Sequence, residues 1–444
     1  MTSPPLIGSV TLPGDKSCTQ RALLLGAVAD GRTVARGALR AGDTQATADA
    51  VAALGARVSW SGPHAGPHTV TIEGVQEPAS PPAPLDCRNA GTAARLLLGL
   101  LAGRRGRWQL DGDASLRSRP MDRVIAPLRA MGADVRGERL PLELRGAPLS
   151  GGRHEVATPS AQVKSALLLA GLCADGPLTV VQHVPTRDHT ERWLPRFGAR
   201  LETEPGAVTV HPGRLTATHL DIPGDPSSAA FLVVAALLTP GSDVWLRDVG
   251  LWPRRTGFLR ALERAGADVM VLRRAAADGT GGAADASAGS AAPDPSGDLR
   301  AGSSELHAFE IAPEDVPDLV DEIPVLALAA ARARGTSRFG GLRELRFKES
   351  DRIAGVAELL ASLGARVEVE GDTLSITGVA VLRAPARPPR FDDHRLALTA
   401  AVAAASGGWP LPALDAADIS FPGFAALLAR LRQGDVEPER LRPA

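Results

Sequence analysis

Lysine is nearly missing from this chain of 444 residues: its 49 basic residues include only Lys16, Lys164 and Lys348. A general bias toward arginine codons accounts for the scarcity. A lysine that persists under it is either a remnant or a position needing a compact, titratable ammonium. Cysteine is equally scarce. Cys18, Cys87 and Cys173 are scattered and odd in number, so they suggest neither a disulfide framework nor the paired spacing of a zinc site. No metal is expected. No apolar run approaches the roughly 18 residues of a membrane span. The net charge is −1 with no basic block, which argues against a nucleic-acid partner. The opening residues MTSPPLIGSV lack the charged and apolar regions of a signal peptide. A cytoplasmic protein is expected.

What is present is a repeat. A 44% hydrophobic composition supports two domains, each of about 200 residues with its own core. Six Ala/Leu-rich segments run about three helical turns and stop at Gly31, Gly103, Gly176, Gly241, Gly335 and Gly407. Most of these stops lie about 70 residues apart, a period in the range of structural repeats or larger. A second amphipathic segment follows each of the first five. It ends in Gly-Ala before a short strand, at Gly55, Gly132, Gly198, Gly266 and Gly364. Each repeat therefore reads β-α-β-α-β-β, an α/β (α+β) class. The sixth lacks its last strands, and residues 6–12 are expected to supply one. The long gap between Gly241 and Gly335 is assigned to a disordered insertion at 275–304, rich in Ala, Gly, Ser, Asp and Pro. Pro-Gly-Asp precedes a helix twice, at 13–15 and 223–225. These are either crossovers between domains or ordinary turns. Read as crossovers, they define one domain of residues 14–224 and another of 1–13 with 225–444.

The helix beginnings are polar. The first helices open at Asp15-Lys16-Ser17, Asn89-Ala90-Gly91-Thr92, Ser160-Ala161-Gln162, Asp225-Pro226-Ser227-Ser228, Asp321-Glu322 and Asp393-His394-Arg395. Capping explains any single Ser, Thr, Asn or Asp there. It does not explain Arg119, Arg187 and Lys348 ahead of second helices, because a cation at a helix N-terminus is unfavourable. A small, multiply anionic ligand offsets that repulsion, since helix N-termini are themselves anion sites.

Eight motifs then occur in order: DKSCTQRALLL (15–25), NAGTAAR (89–95), DASLRSRPM (113–121), PSAQVKSALL (159–168), TRDHTE (186–191), DEIPVLALAA (321–330), RFKESDRI (346–353) and DDHRLAL (392–398). Together they resemble the enolpyruvyl transferases, specifically the branch acting on shikimate 3-phosphate. The resemblance runs from about Gly14 to Phe424. It implies two similar domains, each of three βαβαββ repeats in an inside-out barrel, closing on the substrates. It also implies transfer of the enolpyruvyl group of phosphoenolpyruvate, with no cofactor and as a monomer.

By the same resemblance, Lys16, Gly91, Arg119, Gln162, Arg352 and Arg395 hold phosphoenolpyruvate. Lys16, Ser17, Arg21, Ser160, Ala161, Gln162, Arg187, Asp321 and Lys348 hold shikimate 3-phosphate. Forked guanidinium groups suit carboxylate and phosphate because they bind two oxygens at once. Arg117 lies close to Arg119, but the Arg-Pro step favours Arg119. Asp321 is the expected base for the attacking hydroxyl, or else a cap. Lys16 and Glu349 share the two proton transfers at the methylene carbon in an order the sequence leaves open; Glu349 could equally be an ion-pair partner of Arg352. Lys164 is either part of its motif or solvent-facing, and His394 is either a neighbour of Arg395 or a minor contact. Two positions depart from the family pattern. Ile419 replaces a lysine found in one branch, and Cys18 stands where Ile or Val is usual. The sister enzyme acting on UDP-N-acetylglucosamine is the alternative reading. It normally carries a reactive cysteine that GDASLRSRPMD lacks.

Overall fold

The computed structural model describes residues 3–63, 66–156, 159–273 and 294–434. They fall into two compact units. Residues up to Pro13 join those from Pro223 onward in one; Gly14–Ile222 form the other. The second boundary lies at Ile222/Pro223 and not after Gly224. Gly224 is bridged to Val249, and its N–H donates to the Asp248 carbonyl at 2.7 Å.

Gly14–Ile222 contains three four-stranded sheets with one pattern. The first runs His219–Asp221, Arg32–Ala38, His68–Glu73, Arg57–Ser61. The second runs Leu85–Asp86, Arg107–Asp111, Leu142–Arg145, Asp134–Arg136. The third runs Gly152–Glu155, Leu178–Val181, Ala207–Val210, Leu201–Glu204. In each, the outer first strand is parallel to the second and the other two pairings are antiparallel. That is the β-α-β-α-β-β repeat, three times over.

The other unit holds two such sheets: Ile7–Thr11, Asp243–Gly250, Ser296–Gly302, Val269–Arg273, and Glu310–Ile311, Thr336–Phe339, Thr373–Thr377, Arg366–Glu370. Ile7–Thr11 pairs in parallel with Asp243–Gly250, so it completes the fourth repeat and not the sixth. The reason is connectivity. The strand that precedes the fourth repeat's helix, His219–Asp221, is already paired with Arg32–Ala38, and Ile7–Thr11 takes the place it leaves. Among the described residues the sixth repeat consists of the helices His394–Gly407 and Phe424–Gln433.

The expected 275–304 insertion is too long. Ser296–Gly302 is an inner strand, antiparallel to both Asp243–Gly250 and Val269–Arg273. Gly297, Leu299 and Ala301 alternate into the interior; period-2 burial outweighs a composition that looked featureless. The remainder of that segment, up to residue 293, lies outside the described residues.

Each unit buries its first helices. Lys16–Ala27, Gly91–Ala102 and Ala161–Gly171 contact one another in sequence order. Gly99 admits this packing, because a Cβ there would lie 2.0 Å from the Ala166 carbonyl oxygen. In the other unit Pro226–Leu238, Ile323–Ala330 and His394–Gly407 are in mutual contact, and the first two are buried along their whole length. A helix apolar all round has to be interior, so these are core pieces with the sheets as cover. The expected stop glycines hold only in part. Gly103 caps its helix, Gly408 and not Gly407 caps the sixth, and the other four follow the helix end by several residues. The second glycines do better. Gly55, Gly132, Gly198, Gly266 and Gly364 all have φ between 75° and 103°, the left-handed conformation that favours glycine after a helix.

Candidate active site

In Gly14–Ile222 the polar residues gather at the N-termini of the three buried helices. The Asp15 carboxylate caps the first, accepting from the Cys18 N–H at 2.8 Å. Lys16 follows, its ammonium 2.8 Å from Asp43 Oδ2. One turn on, Arg21 is buried. Its Nε donates to Thr190 Oγ1 at 2.7 Å, Nη1 to the Ser17 carbonyl at 3.0 Å and Nη2 to Ser165 Oγ at 3.0 Å. Burial pulls the Arg21 pKa below its ordinary value, and Arg187 lowers it further; Glu191, among nearby groups, works in the opposite direction.

The second and third helix ends are joined. Ser160 Oγ caps Ala161–Gly171 by accepting from the Val163 N–H. Gln162 then donates to Thr92 Oγ1 at 2.9 Å and accepts from Arg95 Nη1 at 3.0 Å. Arg95 also donates to the carbonyls of Gly91 at 3.2 Å and Pro120 at 3.0 Å. Arg119 donates to Asn89 Oδ1 at 2.5 Å and Ser115 Oγ at 3.3 Å. It terminates the short helix Ala114–Ser118; the next helix starts only at Asp122. Arg119 is therefore not a cation at an N-terminus, as the sequence suggested. A methyl group on Gly91 would lie 2.8 Å from Arg95 Nη1 and 3.1 Å from Arg119 Nη1, so this glycine lets two guanidinium groups converge on a helix start. Arg117 is exposed and paired with Asp111 at 2.8 and 2.7 Å. That hydrogen bond holds the Asp111 carboxyl below the usual range, and Arg117 is committed there.

In the other unit Arg352 is the centre. It is 1% exposed and meets three carboxylates: Asp393 through Nε at 2.9 Å and Nη2 at 3.3 Å, Glu349 through Nη2 at 2.6 Å, and Asp321 through Nη1 at 3.4 Å. Burial by itself would lower its pKa; Asp393, Glu349 and Asp321 more than reverse this, so Arg352 stays charged. Lys348 brings a second cation, 3.6 Å from Asp321 Oδ1. Asp393 also accepts from Ser350 Oγ at 3.0 Å and caps the next helix through the Arg395 N–H at 2.9 Å. The buried Arg395 guanidinium lies 5.9 Å from the Phe231 ring centre. Asp321 is not a helix cap: Glu322 occupies that position, with no side-chain cap bond.

The structure thus joins Asp321, Lys348, Glu349 and Arg352 in one cluster, with Arg395 attached through Asp393. Lys348 and Glu349 precede the helix Arg352–Ser362 by a few residues and do not open it. Sequence reasoning missed Asp43, Arg95 and Asp393. The last two stand inside the motifs NAGTAAR and DDHRLAL, a usable signal. Asp43 had none. Lys164 is buried and paired with Glu191 at 2.5 Å, which corrects its solvent-facing alternative. His394 is buried in the first turn of its helix. Ile419 ends a 3-10 turn, Asp415–Ile419. Asp15, Cys18 and His189 place one donor atom each within 4.8 Å of one another, yet Asp15 already serves as a helix cap. No described helix is long and apolar enough to cross a membrane.

A family model described as EPSP synthase (3-phosphoshikimate 1-carboxyvinyltransferase) matches residues 2–428. The chain is 49% identical over 435 residues to a 3-phosphoshikimate 1-carboxyvinyltransferase of Thermus thermophilus, covering 96% of this chain and 97% of that one. It is 46% identical over 443 residues to a protein of that name from a Synechococcus species, with coverages of 96% and 97%. Among solved structures, EPSP synthase from Acinetobacter baumannii superposes with a TM-score of 0.80 at 36% identity, covering 97% of each chain. Repeats, motifs and these matches agree along nearly the whole sequence, and the chain belongs to the EPSP synthase family.

Proposed function

We propose that this chain transfers the enolpyruvyl (1-carboxyvinyl) group of phosphoenolpyruvate to the 5-hydroxyl of shikimate 3-phosphate, releasing phosphate. The cluster around Asp321 is the observation that carries the reading. A partly exposed carboxylate stands 3.6 Å from an ammonium and 3.4 Å from a buried guanidinium, and Glu349 lies on the same arginine. General base and proton carrier are thus close enough to serve one reaction centre.

Asp321 takes the proton of the 5-hydroxyl as its oxygen bonds to the central carbon of phosphoenolpyruvate, while the methylene carbon gains a proton. The tetrahedral adduct then loses a proton from the new methyl group, its carbon–phosphate oxygen bond breaks, and the double bond re-forms. Lys16 and Glu349 are the groups assigned to these two carbon proton transfers. Arg119, Arg352 and Arg395 neutralise the carboxylate and phosphate of phosphoenolpyruvate, with Gln162 and the Gly91 backbone. Ser17, Arg21, Ser160, Ala161, Arg187 and Lys348 hold the phosphorylated alcohol. Fixed cations favour the transition state wherever charge builds up on departing phosphate.

The test is phosphate release from phosphoenolpyruvate with shikimate 3-phosphate as acceptor, run in parallel with UDP-N-acetylglucosamine. Release with the first acceptor alone is expected. Release with the second alone would overturn the proposal.

A further inference from the structure

Three carboxylates crowd into residues 318–322: Asp318, Asp321 and Glu322, just ahead of the buried helix Ile323–Ala330. Like charges so close repel, and each has to be answered by donors. Asp321, in the middle, meets Arg352 and Lys348 at 3.4 and 3.6 Å. Both contacts are longer than a charge-assisted hydrogen bond of about 2.7–2.9 Å, so these two cations hold it loosely. The flanking carboxylates are held more firmly.

Glu322 is buried, and its Oε1 accepts from Ser227 Oγ in the first turn of the helix Pro226–Leu238. Ser227 Oγ in turn accepts from Arg255 Nη2 at 3.2 Å, and the same nitrogen donates to Asp225 Oδ1 at 2.7 Å. Asp225 caps that helix by accepting from the Ser227 N–H at 2.8 Å, which closes the network on itself. On the other side Asp318, also buried, accepts from Arg260 Nη2 at 2.7 Å and from Arg254 Nη1 at 3.3 Å. Arg254, Arg255 and Arg260 all belong to the start of the helix Gly257–Arg264 and the residues just before it. One segment thus grips the acidic turn at both ends. Arg255 is buried whereas Arg254 and Arg260 reach solvent, where ion pairs are screened, so the link through Ser227 is the stronger one.

We propose that Ser227 and Arg255 are positioning residues for the reaction: through Glu322 they fix the turn that carries Asp321, and Asp318 steadies that turn from its other end. The inference rests on the role of Asp321 as base proposed above. Ser227, Arg255 and Glu322 are buried, and none is assigned to a substrate. They act through the main chain. The Glu322 N–H donates to the Leu319 carbonyl at 3.0 Å, and its own carbonyl accepts from the Leu326 N–H at 3.0 Å. A shift of Glu322 therefore carries Asp321 with it, and a displacement of about 1 Å at a reacting group costs on the order of a hundredfold in rate.

The experiment is a double-mutant cycle in the full chain: wild type, Ser227→Ala, Asp321→Asn and the two combined. Each is assayed for phosphate release at varied phosphoenolpyruvate, for shikimate 3-phosphate affinity by calorimetry, and for folding by a thermal melt. Ser227→Ala removes one oxygen and leaves Asp225, Arg255 and Glu322 in place. It should lower kcat about tenfold or more, with the KM for phosphoenolpyruvate and the shikimate 3-phosphate affinity within about threefold. In the Asp321→Asn background the same change should alter kcat less than about twofold, because the group it positions is gone. Ser227→Thr keeps the hydroxyl and should recover most of the loss. An equal loss in both backgrounds, or an unaltered kcat in Ser227→Ala, overturns the positioning role. Should Ser227→Ala fail to fold, the near-isosteric Asp318→Asn decides by the same comparison of backgrounds. If Asp321→Asn itself keeps full turnover, the assignment of the base is wrong and this inference falls with it. If Asp321→Asn loses turnover while Ser227→Ala does not, only this inference fails.

Discussion

Replacing Gly91 by alanine puts one methyl group at the place where the helix Gly91–Ala102 begins. Gly91 is not among the glycines with positive φ, so alanine fits its backbone. Removing a glycine from a helix relieves up to about 1 kcal/mol, and the melting temperature should hold or rise slightly. The cost falls on the arginines. The new Cβ would sit 2.8 Å from Arg95 Nη1, 3.1 Å from Arg119 Nη1 and 3.4 Å from Leu116 Cδ1. Arg95 has to withdraw, and its bonds to Gln162 and to the Gly91 carbonyl lengthen or break. Hydrogen bonds to charged groups contribute about 1.5–3 kcal/mol each. With partial relaxation of the flexible side chains, roughly one such bond is lost, or about tenfold in affinity.

The expected result is a rise of about tenfold in the KM for phosphoenolpyruvate, with kcat within about threefold. Inhibition by glyphosate, which competes for this pocket in the family the sequence resembles, should weaken more, because the longer inhibitor reaches further along the same wall. The assay is steady-state phosphate release at varied phosphoenolpyruvate and glyphosate, with a thermal melt as the folding control. A wild-type enzyme indifferent to millimolar glyphosate, or a variant with both constants unchanged or changed equally, would refute the placement of Gly91.

Asp321→Asn should keep shikimate 3-phosphate affinity within about tenfold while lowering kcat at least roughly a hundredfold; unaltered turnover removes Asp321 from the chemistry. Arg352→Met leaves Asp393 buried without its guanidinium and should cost about 3–5 kcal/mol in urea unfolding; a loss under about 1 kcal/mol would mean that the carboxylates find other partners. Leu299→Ala, in the strand Ser296–Gly302, should cost about 2–5 kcal/mol; a neutral result would return that strand to the insertion. Burial pushes the Cys87 thiol up to about 12, and Cys18 is also buried while Cys173 is partly accessible. A disulfide reagent at about pH 8 should therefore react quickly with Cys173 alone and with all three cysteines after denaturation, since the thiolate is the reacting form. Rapid reaction of a second thiol in the native protein would contradict that packing.

Much of this was legible in the chain. Helix periodicity and the Gly-Ala stops are local signals, because a left-handed residue after a helix favours glycine wherever the helix ends up. Hence the five second-helix glycines were found, whereas four of the six first-helix stops, set by how far each buried helix extends, were misplaced by several residues. Motif order singled out Lys16, Arg21, Arg119 and Gln162 in one unit and Asp321 and Arg352 in the other, since each stands in a short run of polar residues beside an apolar helix.

Three things needed the tertiary structure. Asp43 meets Lys16 from another helix, and nothing near residue 43 announces it. Ile7–Thr11 chose the sheet of the fourth repeat over the sixth because the neighbouring place was left open by a strand more than 200 residues away along the chain. Ser296–Gly302 reads as low-complexity chain until two neighbours supply its hydrogen bonds. Sequence determined the repeat, the chemistry of the helix ends and the family, all written in residues close along the chain. Which strand pairs with which, and which carboxylate answers a cation beyond the i,i+3 pair Glu349–Arg352, was decided only in three dimensions, because those energies exist only once distant segments meet.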